Sequence, residues 1–288
     1  MTARILSMTV PALSNALKSL LNRAGVDNPD GDTREILCAV LNCSRTELLS
    51  RDQEISEEGS EKAITMARRR ANGEPIQYVL GTWSFMGRGY KVGEGVLIPR
   101  DDTEVVVNEA LRLARPFPCP SVVDLCAGSG IIAITLYKEL KNATVCAVEK
   151  SGEAFAYLEE NARMNRANVN LIHADLADCA DAFEDGSLDM IVSNPPYIRR
   201  NELATLQSEV QYEPRLALDG GESGYDFYEM ILSLWARKLK KGGLIAFEIG
   251  EGQFKTIRDL LTENGFTDIV GTPDIQGITR AVTAKYHC

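Results

Sequence analysis

From Ser121 onward the chain alternates short apolar runs of strand length with stretches of helical period. The runs are Ser121–Leu125, Thr144–Val148, Val169–His173, Leu188–Ser193, Gly243–Ile249, Thr267–Val270 and Thr279–Tyr286. Strands so continuously apolar need cover on both faces, and intervening helices supply it as crossovers. The pattern therefore predicts an α/β fold around a mostly parallel, seven-stranded sheet. Only Gly271 to Ile278 separates the last two runs, too little for a crossover helix, so one strand is expected to run antiparallel.

Open sheets of this kind bind ligands beyond the carboxyl ends of their strands. There Val122-Val123-Asp124-Leu125 runs into Cys126-Ala127-Gly128-Ser129-Gly130 and a helix beginning at Ile131. Glycines at a strand-to-helix turn let a ligand approach the backbone and meet helix N-terminal amides. A dinucleotide site would want a third glycine where Ala133 stands. Glu149 ends the second run about 20 residues on, where a carboxylate can accept both ribose hydroxyl hydrogens. Asp175 follows the third run, where it and the Leu176 backbone could frame an adenine edge. The plainer alternative is a tight turn with solvated strand ends, and it carries more weight at Asp175 than elsewhere because Asp178, Asp181 and Asp185 crowd the same region.

The fourth run ends in Ser193-Asn194-Pro195-Pro196-Tyr197. Two prolines cannot continue a ladder, so the chain must turn out facing the glycine loop. A planar amide nitrogen is a poor nucleophile because its lone pair is delocalised. The Asn194 side-chain oxygen and the Pro195 carbonyl can accept its two hydrogens and aim that lone pair, with Tyr197 as an aromatic wall. No base is needed for such chemistry, and neither histidine, His173 or His287, stands near this motif. The alternative is an ordinary turn.

Up to about residue 74 the apolar spacing is helical. Leu13, Ala16, Leu17, Leu20 and Leu21 mark one helix closed by Gly25, and Ile36, Leu37, Val40 and Leu41 mark a second. Ser44 and Glu47 have capping-box spacing, and Ser56 to Asn72 reads as a helix ending in Arg68, Arg69 and Arg70 before Gly73 and Pro75. Such a basic run is a solvated helix end or a contact for a partner. Between Pro75 and Pro99, glycines and aromatics punctuate extended pieces, which predicts a β-hairpin linker. Three parts follow: helical residues 1–74, linker 75–99 and an α/β domain 100–288.

A formal charge of −10 works against unaided binding of nucleic acid and favours a protein or small-molecule substrate. Seven scattered cysteines without a CxxC pair point to reduced thiols rather than zinc or disulfides. No apolar stretch approaches the roughly 20 residues of a membrane span, and no basic-then-apolar leader is present, so a cytoplasmic, membrane-free protein is expected.

Together Asp124, Gly128, Gly130, Glu149 and Asp175 resemble the successive motifs of class I S-adenosylmethionine-dependent methyltransferases, which have a Rossmann-like fold. Asn194 to Tyr197 is similar to the tetrapeptide shared by enzymes acting on exocyclic amines of adenine or guanine and on glutamine amides. Further segments resemble the release factor glutamine methyltransferases of the HemK/PrmC family. These are Pro75-Ile76-Gln77-Tyr78, Val96-Leu97-Ile98-Pro99-Arg100, Glu213-Pro214-Arg215, Glu248-Ile249-Gly250 with Gln253, and Asp274 to Arg280.

This resemblance implies methylation at N5 of the glutamine in a Gly-Gly-Gln loop, with peptide chain release factors as transient partners of a monomer. It implies S-adenosylmethionine as cofactor, S-adenosylhomocysteine as product, and no metal. Asn194, Pro195, Pro196 and Tyr197 carry over as the glutamine pocket, with Asn194, Pro195 and Tyr197 catalytic. Asp124, Cys126, Ala127, Gly128, Ser129, Gly130, Glu149, Asp175, Leu176 and Asn194 carry over to the cofactor. Arg100 either shapes the pocket or forms an ion pair with Glu104 or Asp102. The helical part is similar to that family's recognition domain by length and shape. The rival enzyme reading is an N6-adenine or N2-guanine methyltransferase, which would want a basic channel. The rival from another class is a protein that binds cofactor or release factor without catalysis.

Overall fold

A computed structural model describes residues 7–287, which fall into two compact units. One runs to Thr82 and also takes in Gln207–Tyr212; the other comprises Trp83–Leu206 and the chain from Glu213 onward.

In the first unit, helices Val10–Arg23, Pro29–Leu41 and Glu57–Ala71 start at side-chain caps. Thr9, Asn28 and Ser56 each accept a first-turn amide that would otherwise lack a partner. Ser44 and Glu47 form the expected reciprocal box over the short helix Arg45–Leu48. Leu13, Leu17, Leu21, Ile36 and Leu37 meet Ala63 and Ala67 in the core, as the spacing requires. Met8–Thr9 pairs with Glu54–Ile55, a ladder too short to leave a sequence period.

Arg70 departs from the expectation of a solvated or partner-facing helix end. It is buried and pairs with Asp32 at 2.6 Å and with Glu209. Arg69 turns back onto Glu74. The Tyr212 hydroxyl donates to the Asn72 carbonyl at 2.9 Å, so two residues of Gln207–Tyr212 are fastened to this helix end. The stretch expected to be wholly extended also differs. Ile76–Leu80 makes a short helix closed by Gly81 in the left-handed region, and the hairpin is confined to Thr82–Phe85 and Arg88–Lys91. Its two-residue turn has positive φ at both Met86 and Gly87, the geometry that matches strand twist.

The second unit is built on strands β1 (Ser121–Leu125), β2 (Thr144–Glu149), β3 (Asn170–His173), β4 (Leu188–Ser193), β5 (Leu239–Glu248), β6 (Phe266–Pro273) and β7 (Thr279–Tyr286). Their order is β6-β7-β5-β4-β1-β2-β3, with β7 antiparallel to both neighbours and all other pairs parallel. All six residues of β4 are buried, which is why that run reads as continuously apolar. Adjacent residues serve opposite faces. Val122 joins a core with Val107, Ala110 and Leu136, while Val123 joins Leu232, Trp235 and Leu261.

The chain proceeds from β1 through β2 to β3 on one side, then crosses to β4 on the other. That reversal opens a crevice beyond the carboxyl ends of β1 and β4. Cys38, Cys43, Cys119, Cys126, Cys146 and Cys179 are free thiols, and Cys288 lies outside the described residues. Among the described residues no helix is long and apolar enough to cross a membrane.

Candidate active site

Strand register brings the chemistry-bearing residues together. Leu125 stands opposite Ser193 on one side and Val148 on the other, so Cys126, Asn194 and Glu149 leave the sheet side by side. The Ser193 hydroxyl donates to the Leu125 carbonyl at 2.6 Å and locks this register.

The loop after β1 takes left-handed conformations at Cys126, Gly128 and Gly130. Gly130 allows the following helix to pack, because a Cβ there would come within 2.4 Å of the Leu158 side chain. A Cβ on Gly128 would meet nothing within 4 Å, so its bare side faces open space in the cleft. Asn161, fully buried, fastens the loop by donating to the Ser129 carbonyl at 2.9 Å while its oxygen accepts the Lys91 amide at 2.6 Å.

Three acids surround this loop in different states. Glu149 accepts the Gly128 and Ser151 amides, each at 2.7 Å, one on each oxygen, which leaves a lone pair on each for a ligand. Asp124 is wholly buried behind the loop, where one oxygen accepts the Ala133 amide at 2.9 Å and the other has no partner. Burial lifts its carboxyl far above the usual range, the Ala133 amide opposing and the Glu149 charge adding. Burial also pushes the Asp175 carboxyl up, but the Ala177 amide and Lys150 outweigh it and hold the group below its ordinary value. Lys150 pairs with Asp175 at 2.7 Å. Burial raises the Cys126 thiol, which stays protonated and inert.

These groups line a cleft of about 940 Å³ of empty space, open mouth included. Cys126, Ala127, Gly128, Ser129, Glu149, Asp175 and Leu176 face it from one side; Leu97 to Pro99, Thr103, Asn194, Pro196, Pro214, Leu216 and Ala217 face it from the other. Asp124, Gly130, Pro195, Tyr197 and Arg100 are not on its wall.

Asn194 is held in a definite sense. Its amide nitrogen donates to the Thr103 hydroxyl at 3.4 Å, which leaves its oxygen for a ligand. Tyr197 packs beside Gly250, and its hydroxyl lies 3.5 Å from the Glu248 carboxylate. Burial and then the Glu248 charge push its phenol up. Gln253 pins the turn, accepting the Gly250 amide at 2.8 Å and donating to the Tyr197 carbonyl at 3.1 Å.

Arg100 pairs with Glu213, not with Glu104 or Asp102, and Asp102 meets Arg280 instead at 3.2 Å. Glu213 is itself buried and accepts the Ile98 amide at 2.9 Å, so the pair braces the Leu97–Pro99 wall from behind. Burial lifts the Glu213 carboxyl, with Arg100 opposing. Sequence reasoning found Glu213, Glu248 and Gln253 only as pieces of a resemblance. No spacing could assign them work, because their partners lie far away in the chain. His173 stacks on Phe155 with ring centroids 4.7 Å apart, a strand-end role.

An S-adenosylmethionine molecule suits these residues. Gly128 offers backbone without a side chain, Glu149 presents unspent acceptor capacity for a ribose diol, and the apolar side chains of Leu97, Leu176 and Ile131 can flank a ring.

The chain is also similar to known proteins over most of its length. Residues 12–81 match the family described as PrmC N-terminal domain, and residues 109–215 the family described as methyltransferase small domain. The chain is 39% identical over 279 residues to the release factor glutamine methyltransferase of Geobacter sulfurreducens, covering 96% of each protein. It is also 39% identical to the release factor glutamine methyltransferase of Fusobacterium nucleatum, covering 92% of this chain and 75% of that one. Among solved structures, the hMettl16 catalytic domain in complex with MAT2A 3'UTR hairpin 6 matches with a TM-score of 0.55 over 82% of this chain and 86% of that one. At 13% identity the likeness is one of fold alone.

Proposed function

The chain belongs to the release factor glutamine methyltransferase family, and we propose that it methylates the N5 amide nitrogen of the glutamine in the Gly-Gly-Gln loop of a peptide chain release factor. The methyl group comes from S-adenosylmethionine, which leaves as S-adenosylhomocysteine. The observation that carries this reading is the orientation of Asn194. Its nitrogen is tied to Thr103, and its oxygen is left for a ligand across from the glycine loop.

Bound S-adenosylmethionine supplies an electrophilic sulfonium methyl group. Glu149 would accept the ribose hydroxyl hydrogens, Asp175 and the Leu176 backbone would take the adenine edge, and Cys126 to Gly130 would support the remainder. Asp124 shapes this loop from behind by capping its helix. The Asn194 oxygen accepts a hydrogen of the glutamine amide, which aims its lone pair out of the amide plane, while Pro195, buried off the cleft wall, fixes the turn that presents Asn194. Pro196 and Tyr197 hold that turn, with Tyr197 as a buttress. Arg100 serves the pocket through Glu213. No strong base is required, since an amide nitrogen that gains a methyl group releases its proton readily; the rate enhancement rests on positioning and fixed dipoles.

We assign release-factor recognition to the helical residues 1–74, the linker to 75–99 and catalysis to 100–288. The protein acts as a monomer in a transient complex in the cytoplasm, where release factors work. Label transfer from methyl-tritiated S-adenosylmethionine tests the substrate class. Label on a purified release factor supports the proposal, and label on RNA or DNA with none on the release factor rejects it.

Glu149→Ala is expected to weaken S-adenosylmethionine binding by about 10-fold or more in titration calorimetry, because hydrogen bonds to a charged group contribute about 1.5–3 kcal/mol each. Glu149→Gln, which keeps one acceptor oxygen, should fall between. A dissociation constant within about twofold of wild type for the alanine variant would remove Glu149 from the cofactor site.

A further inference from the structure

We infer that Asn161 is a positioning residue for cofactor binding: its side-chain amide ties the hairpin to the glycine loop and so holds two walls of the cleft at one spacing. The inference rests on the cleft being the S-adenosylmethionine site.

Asn161 stands near the end of the helix Gly152–Met164 and is wholly buried. Its oxygen accepts the Lys91 amide at 2.6 Å. Its nitrogen donates to the Lys91 carbonyl at 3.1 Å and to the Ser129 carbonyl at 2.9 Å. The side chain thus engages Lys91 as a neighbouring strand would, through both backbone groups, and gives its remaining hydrogen to the cofactor loop. With an N–H before the oxygen and two carbonyls before the nitrogen, only one orientation of the amide satisfies all three bonds.

The two partners belong to different walls. Ser129 lies in the loop Cys126 to Gly130, which Glu149 holds separately through the Gly128 amide. Lys91 ends the hairpin strand Arg88–Lys91 and leads directly into the strap of residues 92–99. There Val92 and Val96 pack with Ala154, from the helix that carries Asn161, and Leu97, Ile98 and Pro99 face the cleft. The Ile98 amide reaches Glu213 at 2.9 Å, so the strap is pinned at its far end as well. Packing alone does not ask for an amide at position 161. An apolar side chain would fill the space with nothing to desolvate, and would join nothing. The hairpin, whose spacing reads as a linker, is in this way part of the cofactor site. Cofactor binding and hairpin attachment are then linked, and each strengthens the other.

The test is amide hydrogen exchange by NMR on the nitrogen-15-labelled full chain, without and with S-adenosylmethionine at about 100 times its dissociation constant. The Lys91 amide is freed when Asn161 lets go, so the cofactor should slow its exchange by about 10-fold or more in wild type. Amides of the edge strand β6 should slow by less than about twofold. In Asn161→Leu the response at Lys91 should vanish. No slowing at Lys91 beside slowing at the Gly128 amide, equal slowing at Lys91 and throughout β6, or an unchanged response in Asn161→Leu overturns the inference alone. No slowing at Gly128 in protein that binds S-adenosylmethionine would remove the cofactor from this cleft, and the inference with it. Kinetically, Asn161→Leu should raise the KM for S-adenosylmethionine by about 10-fold, with kcat at saturating cofactor and the KM for release factor within about twofold of wild type. A fall in kcat with an unmoved KM for the cofactor, the mark of a general loss of folded enzyme, would count against the assigned role. The wild-type exchange comparison needs no variant, so it decides the matter even if Asn161→Leu does not fold.

Discussion

Replacing Asn194 by alanine is expected to lower kcat for methyl transfer by about 10³-fold or more while leaving the affinity for S-adenosylmethionine within a few-fold. The asymmetry follows from where the side chain sits. Asn194 extends from β4, and the groups suited to ribose and adenine come from β1, β2 and β3 on the other side of the switch point. Truncation removes the acceptor that turns an otherwise delocalised amide lone pair toward the methyl group. The cofactor loop keeps its own supports, the Glu149 and Asn161 hydrogen bonds. Titration calorimetry and single-turnover assays separate the two effects. Lost cofactor binding with retained turnover would reverse the roles assigned to Asn194 and Glu149.

The second large effect concerns stability. Arg70→Ala should destabilise the helical unit by about 3–5 kcal/mol, the usual cost of removing one partner from a buried ion pair. The Arg70 side chain is 6% exposed and that of Asp32 10%, so water cannot take the place of the guanidinium. Burial already raises the Asp32 carboxyl even with Arg70 beside it. Without Arg70 it should rise further and take up a proton. A carboxyl raised in the folded state lends stability at low pH that fades as pH increases, so the deficit should be smaller at about pH 4.5 than at about pH 7.5. The same substitution frees Glu209 and so loosens Gln207–Tyr212. Amide hydrogen exchange in Val10–Arg23, Pro29–Leu41 and Glu57–Ala71 reads the loss locally. A deficit under about 1 kcal/mol, or one independent of pH, would mean that the pair behaves like a surface contact.

Arg70 also shows where sequence reading stops. As the last of three arginines before Gly73 it has the pattern of a helix end, but its partners stand 38 and 139 residues away, beyond any local period. The sheet was legible for the opposite reason. Parallel strands buried on both faces leave runs such as Leu188–Ser193, and the short link between β6 and β7 leaves room for nothing but reversal. The loop Cys126 to Gly130 and the turn Asn194 to Tyr197 were equally visible, because each is contiguous. What joins them was not: Thr103, Glu213, Glu248 and Gln253 come from four different parts of the chain, and each shows its work only once folded. Ile76–Leu80 was missed because five residues closed by Gly81 hold barely one turn of helical period.

The most direct measurement is tandem mass spectrometry of a release factor incubated with this protein and S-adenosylmethionine carrying a heavy methyl group. The expected result is one added methyl on the glutamine of the Gly-Gly-Gln loop, with fragments placing it on the side-chain amide nitrogen. A methyl group on any other residue, or none at all from protein that binds S-adenosylmethionine, would contradict the proposed function.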